Sequence, residues 1–165
     1  MNDKIILDSC IIAAIFLPET ITSQAIDIVA DNECITVDLA YTEVANMAWK
    51  RAVHTGNDPT LVKTLLDDAI TFIHETCTVI PAHKLITPAW DLSIQHRITL
   101  YDALFVAASI RCNAPLVTAD IRLICSKSIK SGYPDKIMMI EGVHNSKGCC
   151  ILERSFHTDS VNRIS

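Results

Sequence analysis

The feature that most constrains the fold is a repeated pairing of a short apolar run, without polar alternation, with a longer stretch of helical periodicity. Residues 4–7 (Lys-Ile-Ile-Leu), 34–37 (Cys-Ile-Thr-Val), 77–80 (Cys-Thr-Val-Ile), 115–117 (Pro-Leu-Val) and 136–140 (Lys-Ile-Met-Met-Ile) read as strands. A strand covered on one face alternates apolar with polar residues, whereas one covered on both faces does not. Helical material separates each run from the next, which is the pattern of a parallel sheet with helices on both sides. The expected class is α/β: a three-layer α/β/α sandwich around a central, mainly parallel sheet of about five strands.

The intervening segments support this. Helices are expected over 11–17, 22–30, 40–54, 59–75, 81–96, 101–112 and 121–129. In the third, Val44, Met47, Ala48 and Ala52 recur at helical spacing until Gly56-Asn57-Asp58-Pro59 stops the element. Pro59 then opens the fourth, where Leu61, Leu65, Ala69, Phe72 and Ile73 share a face. With 50% hydrophobic residues but only four glycines and 5% aromatics, the core must be Ile, Leu, Val and Ala, which favours helices on a sheet over a β-sandwich and excludes a disordered chain. Residues 1–141 are expected to form one domain. Periodicity is lost over 142–165, read as an extension that is either disordered or adds an edge strand at 149–152.

The longest apolar run, 10–17, is far short of the ~18–20 residues of a membrane span. Nothing at the amino terminus resembles an export signal, so a soluble, cytoplasmic protein is expected. Seven cysteines without a Cys-x-x-Cys pair read as reduced, mostly buried thiols. Cys10, two residues from Asp8, reads as a packed small hydrophobe rather than a nucleophile, because no His lies near it in sequence. A formal charge of -5 is no general footprint for nucleic acid, so any such partner must be held locally.

Four carboxylates fall where apolar runs end or helices begin: Asp8 after 5–7, Glu43 in the first turn expected after the second strand, Asp102 at the start of the 101–112 helix, and Asp120 after 115–117. In open α/β sheets the ligand crevice lies outside the carboxyl ends of the strands, where strand order reverses. Each acid alone is explicable as a cap or a helix-dipole partner. Four on one edge cannot all stay charged without a cation. Carboxylates suit Mg²⁺ or Mn²⁺, and two such ions can activate a water and stabilise the leaving oxygen of a phosphodiester. Ser9, Asn46 and Thr118 are candidates for fixing the carboxylates, and Arg122, or Lys50, Arg51, Arg97 or Arg111, for meeting a phosphate backbone.

The flanking residues resemble a known family. Leu-Asp-Ser-Cys-Ile-Ile at 7–12, Glu-Val-Ala-Asn at 43–46, Tyr-Asp-Ala-Leu-Phe-Val-Ala-Ala at 101–108 and Leu-Val-Thr-Ala-Asp at 116–120 are similar, in order and spacing, to the four motifs of PIN domains. Within that superfamily the chain most resembles the VapC-type toxins of toxin-antitoxin pairs. The resemblance implies a Mg²⁺-dependent endoribonuclease with Asp8, Glu43, Asp102 and Asp120 as both catalytic and metal-binding residues, an RNA substrate, a homodimer and a small antitoxin partner. Other readings are a housekeeping nuclease of RNA maturation and a PIN-like binding module without catalysis. Two features depart from the usual pattern: Ser9 stands where Thr is commoner, and the tail is longer than compact toxins carry.

Remaining candidates are weaker. His144, Cys149, Cys150 and His157 match no common zinc spacing. Asp67, Asp68 and Asp91 read as solvated, and Asp38, which also follows a strand, is a further candidate for the same edge. His54, His74, His83 and His96 are expected to be partly exposed.

Overall fold

The structure, a computed structural model, describes residues 3–125, 127–133 and 135–140. The expected extension over 142–165, its edge strand and the His144, Cys149, Cys150 and His157 grouping lie outside the described residues.

Five strands, β1 (Asp3–Leu7), β2 (Asn32–Val37), β3 (Thr78–Ile80), β4 (Leu116–Thr118) and β5 (Ile137–Met139), form one sheet in the order β3-β2-β1-β4-β5. Every neighbouring pair is parallel. The helices are α1 (Ser9–Phe16), α2 (Thr22–Ala30), α3 (Leu39–His54), α4 (Pro59–Thr76), α5 (Ile86–His96), α6 (Leu100–Cys112), α7 (Ile121–Cys125) and α8 (Lys127–Gly132). With the right-handed crossovers usual for parallel strands, this order places α1–α4 on one face and α5–α8 on the other. The packing agrees: α1 meets α2, α3 and α4, α5 lies along α6, and α7 meets α8.

The core is aliphatic. Ile5, Ile6 and Leu7 of β1 are buried, and so is every residue of α6 from Ala103 to Ser109. A helix apolar all round must lie inside the protein, and the small side chains of Ala103, Ala107 and Ala108 let α6 approach the sheet closely. Helix boundaries follow local chemistry. Asp58 accepts the Thr60 N–H at 2.9 Å ahead of Pro59, while Arg97 and Asn113 end α5 and α6 with left-handed backbones.

Two expected helices are divided. Instead of one helix over 81–96 the chain makes a 3-10 turn at Ala82–Lys84 and restarts at Ile86. Pro88 explains the break: in a continuous helix its ring would strike the Lys84 carbonyl, whereas in the first turn of a new helix it is harmless. The segment 121–129 is split between α7 and α8. Leu123 and Ile129 are both buried; six residues apart on one helix they would point roughly 120° apart, and the division lets both face the core. His96 is buried, contrary to expectation, with its ring 5.8 Å from that of Tyr133 at the end of α8.

Candidate active site

In the order β3-β2-β1-β4-β5 the chain runs outward from β1 to β3 and then returns to place β4 on the other side of β1. The crevice of such a sheet therefore opens between the carboxyl ends of β1 and β4. Asp8 follows β1 directly, and Asp120 stands two residues beyond β4. The Asp8 N–H donates to the Val117 carbonyl at 3.1 Å, which locks the two strand ends together.

Asp8 occupies the N-cap position of α1, yet its carboxylate caps no helix N–H. It faces the site instead: Oδ2 accepts the Thr118 hydroxyl at 2.5 Å and Oδ1 lies 3.2 Å from Ser9 Oγ. The Ser9 hydroxyl also lies 2.5 Å from Glu43 Oε2, so it stands between the two acids, with one proton to donate to either of them at a time. Glu43 sits in the second turn of α3, not the first as expected, because α3 already begins at Leu39. Its side chain leans back toward the helix start and so still reaches the edge.

Asp102 lies in the first turn of the buried helix α6. Thr99 caps that helix by accepting the Asp102 N–H at 3.1 Å, and its hydroxyl donates to Asp102 Oδ2 at 2.7 Å. Asp120 Oδ1 accepts the Arg122 backbone N–H at 2.8 Å, and its Oδ2 pairs with the Arg122 guanidinium at 3.1 Å. The backbone N–H of Asp120 in turn donates to Thr118 Oγ1 at 3.0 Å.

These acids feel one another. Burial raises the Asp8 carboxyl above its ordinary range, and the charge of Asp120 adds to it, against hydrogen bonds from Thr118, Cys10 and Ser9. Burial likewise raises Glu43, reinforced by Asp8 and Asp102 and opposed by Ser9. Asp102 is raised by burial, then by Asp120 and Asp8, with Thr99 and Arg122 opposing. Such a group binds protons or cations to relieve its own repulsion.

By donor chemistry the four carboxylates fit a hard divalent cation. As oriented, Asp120 is turned onto Arg122 and Asp102 onto Thr99. Among the described residues no group of three or more His, Cys, Asp or Glu side chains is placed to hold a metal ion.

Ser9 and Thr118 thus contact the acids, while Asn46 is exposed and is not joined to any of the four. Asp38 lies at the same edge, but its Oδ1 accepts the Ala82 N–H at 2.8 Å and so serves the turn after β3. Of the proposed phosphate contacts, Arg122 is engaged by Asp120, and Arg51 is tied to the Pro18 carbonyl and to Glu19 at 3.1 and 3.2 Å. Lys50 is half-buried two turns beyond Glu43. Arg111 belongs to the last turn of α6, roughly 13 Å along the axis from Asp102 at the opposite sheet edge, and cannot line the rim. Arg97 is exposed at the end of α5, two residues before the α6 cap.

Two contributors, Thr99 and Thr36, went unnoticed in the sequence, and a third, Cys10, was read only as packing. Thr99 carried a signal, since Thr-Leu-Tyr-Asp at 99–102 is a capping-box pattern. Thr36, whose buried hydroxyl donates to the Leu7 carbonyl at 2.9 Å, looks like any strand residue. Cys10 packs as expected, with burial and Asp8 pushing its thiol well above the usual value, but its sulfur also accepts the Ala119 N–H at 3.4 Å.

Residues 5–125 match the family described as PIN domain. Over 121 residues the chain is 31% identical to ribonuclease VapC3 of Pyrobaculum aerophilum, an alignment spanning 73% of this chain and 92% of that protein. Its fold is similar to that of a toxin-antitoxin complex from Klebsiella pneumoniae, with TM-score 0.52 and 18% identity over 81% of this chain and 94% of the other. It is also similar to VapBC2 from Rickettsia felis bound to a DNA fragment from its promoter, with TM-score 0.57 and 15% identity over 84% and 99% of the two chains.

Proposed function

The chain belongs to the PIN domain family, in its VapC-type branch, and from that premise we propose that it is an endoribonuclease serving as the toxin of a toxin-antitoxin pair. Its substrate is RNA, and Asp8, Glu43, Asp102 and Asp120 hold Mg²⁺, for which Mn²⁺ can substitute. The observation that carries this reading is the gathering of Asp8, Glu43 and Asp102 at the crevice between β1 and β4, where burial raises all three carboxyls and neighbouring acid charges, Asp120 among them, add to the rise. A half-buried acid cluster in which Asp8, Glu43 and Asp102 are tied to hydroxyls, and only Asp120 to a cationic side chain, is a poor structural device and a good cation cradle.

When bound, the cation neutralises the acids and the attacked phosphate and lowers the pKa of a water. The chain's own groups set the geometry. Thr118 holds the Asp8 carboxylate, Ser9 stands between Asp8 and Glu43 and donates to one or the other, and Thr99 fixes Asp102 on the rigid helix α6. Hydrolysis adds one water across a P–O bond, the leaving oxygen taking a proton, so no side-chain nucleophile is required. Arg122, beside Asp120, is the proposed phosphate contact, and releasing it from that carboxylate frees both groups for their roles.

The partner is a small antitoxin protein, and the chain acts as a homodimer in the cytoplasm. Among the described residues no helix is long and apolar enough to cross a membrane. The decisive experiment is cleavage of RNA by purified protein with and without Mg²⁺ or Mn²⁺, alongside Asp8→Asn and Asp102→Asn. Both variants should fold and lose activity. Undiminished cleavage by both would refute the assignment. Mn²⁺ binding without cleavage of any RNA would leave a binding module, and absence of an antitoxin-like reading frame next to the gene would favour a maturation nuclease.

A further inference from the structure

We infer that Cys10 is a positioning residue, whose sulfur ties the loop carrying Asp120 to the loop carrying Asp8; the inference rests on the function proposed above. The β4 ladder ends at Thr118, so the next two backbone N–H groups, of Ala119 and Asp120, need acceptors from elsewhere. Asp120 N–H finds the Thr118 hydroxyl at 3.0 Å. Ala119 N–H finds Cys10 Sγ at 3.4 Å, from a residue 109 positions away in the chain on the first turn of α1. The same sulfur lies 3.7 Å from Thr118 Oγ1, the atom that donates to Asp8.

Cys10 and Thr118 thus form a pair of tethers across the strand-order reversal. Thr118 binds the Asp8 carboxylate and the Asp120 amide, while Cys10 binds the amide between them. Without the sulfur the Asp120 segment keeps its bond to Thr118 and the turn with Arg122, and a carboxylate that must share a cation with Asp8 loses one of the ties that fix its distance from it. Alanine and valine bracket the size of cysteine and supply no acceptor, which separates this role from simple packing.

The test compares wild type, Cys10→Ala, Cys10→Val and Cys10→Ser. In metal-free protein the Ala119 amide should exchange at least ~10-fold faster in the Ala and Val variants, with protection of β1 and α6 unchanged. Calorimetric Mn²⁺ affinity should fall about 10- to 100-fold in both, and kcat should fall with KM for RNA unchanged. Cys10→Ser, which keeps an acceptor on a shorter bond, should lie between. Wild-type Ala119 exchange and Mn²⁺ affinity in Cys10→Val would overturn the inference, whatever happens to thermal stability. If wild-type protein neither bound Mn²⁺ nor cleaved RNA, the functional reading would fall, and the Ala119 exchange rates would still decide whether the tether exists.

Discussion

Thr118 donates its hydroxyl proton to Oδ2 of Asp8 at 2.5 Å, across a chain separation of 110 residues. The same oxygen accepts the Asp120 N–H at 3.0 Å, so one fully buried side chain links two of the four acids. Thr118→Val keeps the shape and removes both bonds. It should destabilise the fold by about 1–3 kcal/mol and reduce RNA cleavage at least tenfold, while Thr118→Ser keeps most of both. Urea unfolding and single-turnover cleavage measure the two effects; a Val variant of full activity would contradict the link.

Asp8→Asn should abolish cleavage yet stabilise the metal-free protein. Burial and Asp120 raise the folded-state Asp8 carboxyl. A carboxyl holding its proton more tightly folded than unfolded gives a stability that is complete below the unfolded value of about 4 and is lost as pH rises through the folded one. The variant lacks this titration. Its Tm advantage in EDTA should therefore grow from about pH 4 toward neutrality, and Mg²⁺ should raise the wild-type Tm more than the variant's. A flat difference across that range would argue against a raised Asp8.

Thr99→Ala removes the α6 cap and the hydroxyl on Asp102 together. A loss of about 1 kcal/mol in chemical denaturation is expected, with a fall in kcat beyond what the stability change explains; Thr99→Ser should retain both.

Arg97 ends α5 with φ 54°, a conformation that disfavours side chains. Arg97→Gly should stabilise the protein by about 1 kcal/mol, measured as a raised Tm. A lowered Tm would mean that the Arg97 side chain contributes packing or charge that outweighs the backbone strain.

Cys34 and Cys77 stand side by side at the start of the β2–β3 pairing, free and buried, with burial pushing their thiols up to about 11 and about 12. Both should resist a thiol reagent at pH 8 until the protein is unfolded in urea. By the same sign argument their contribution to stability is intact below about pH 9 and is lost as pH rises through the raised values.

The parallel sheet was legible because hydrophobic burial acts residue by residue, so runs such as 5–7 and 34–37 declare themselves without knowledge of their neighbours. All five strands lie within one or two residues of the expected positions. The broken helix at 82–86 was legible in principle, since Pro88 forbids the continuous form. His96 was not: nothing local says that the end of α8 will close over it. In the site, the hydroxyls of Ser9 and Thr118 were suspected because they adjoin acids in sequence, whereas Asn46, chosen on helical spacing alone, stays exposed.

The sequence by itself determined the elements, their layering and the ends of strands and helices at which the four acids stand, because periodicity and capping are properties of neighbouring residues. Only the tertiary structure decided that β4 would take the free edge of β1. Strand order depends on crossover handedness and on how helices cover the sheet, and no local pattern encodes it. That choice brings Thr118 to Asp8 and Cys10 to Ala119, and half-buries the acids close enough for the charge of Asp120 to reach Asp8.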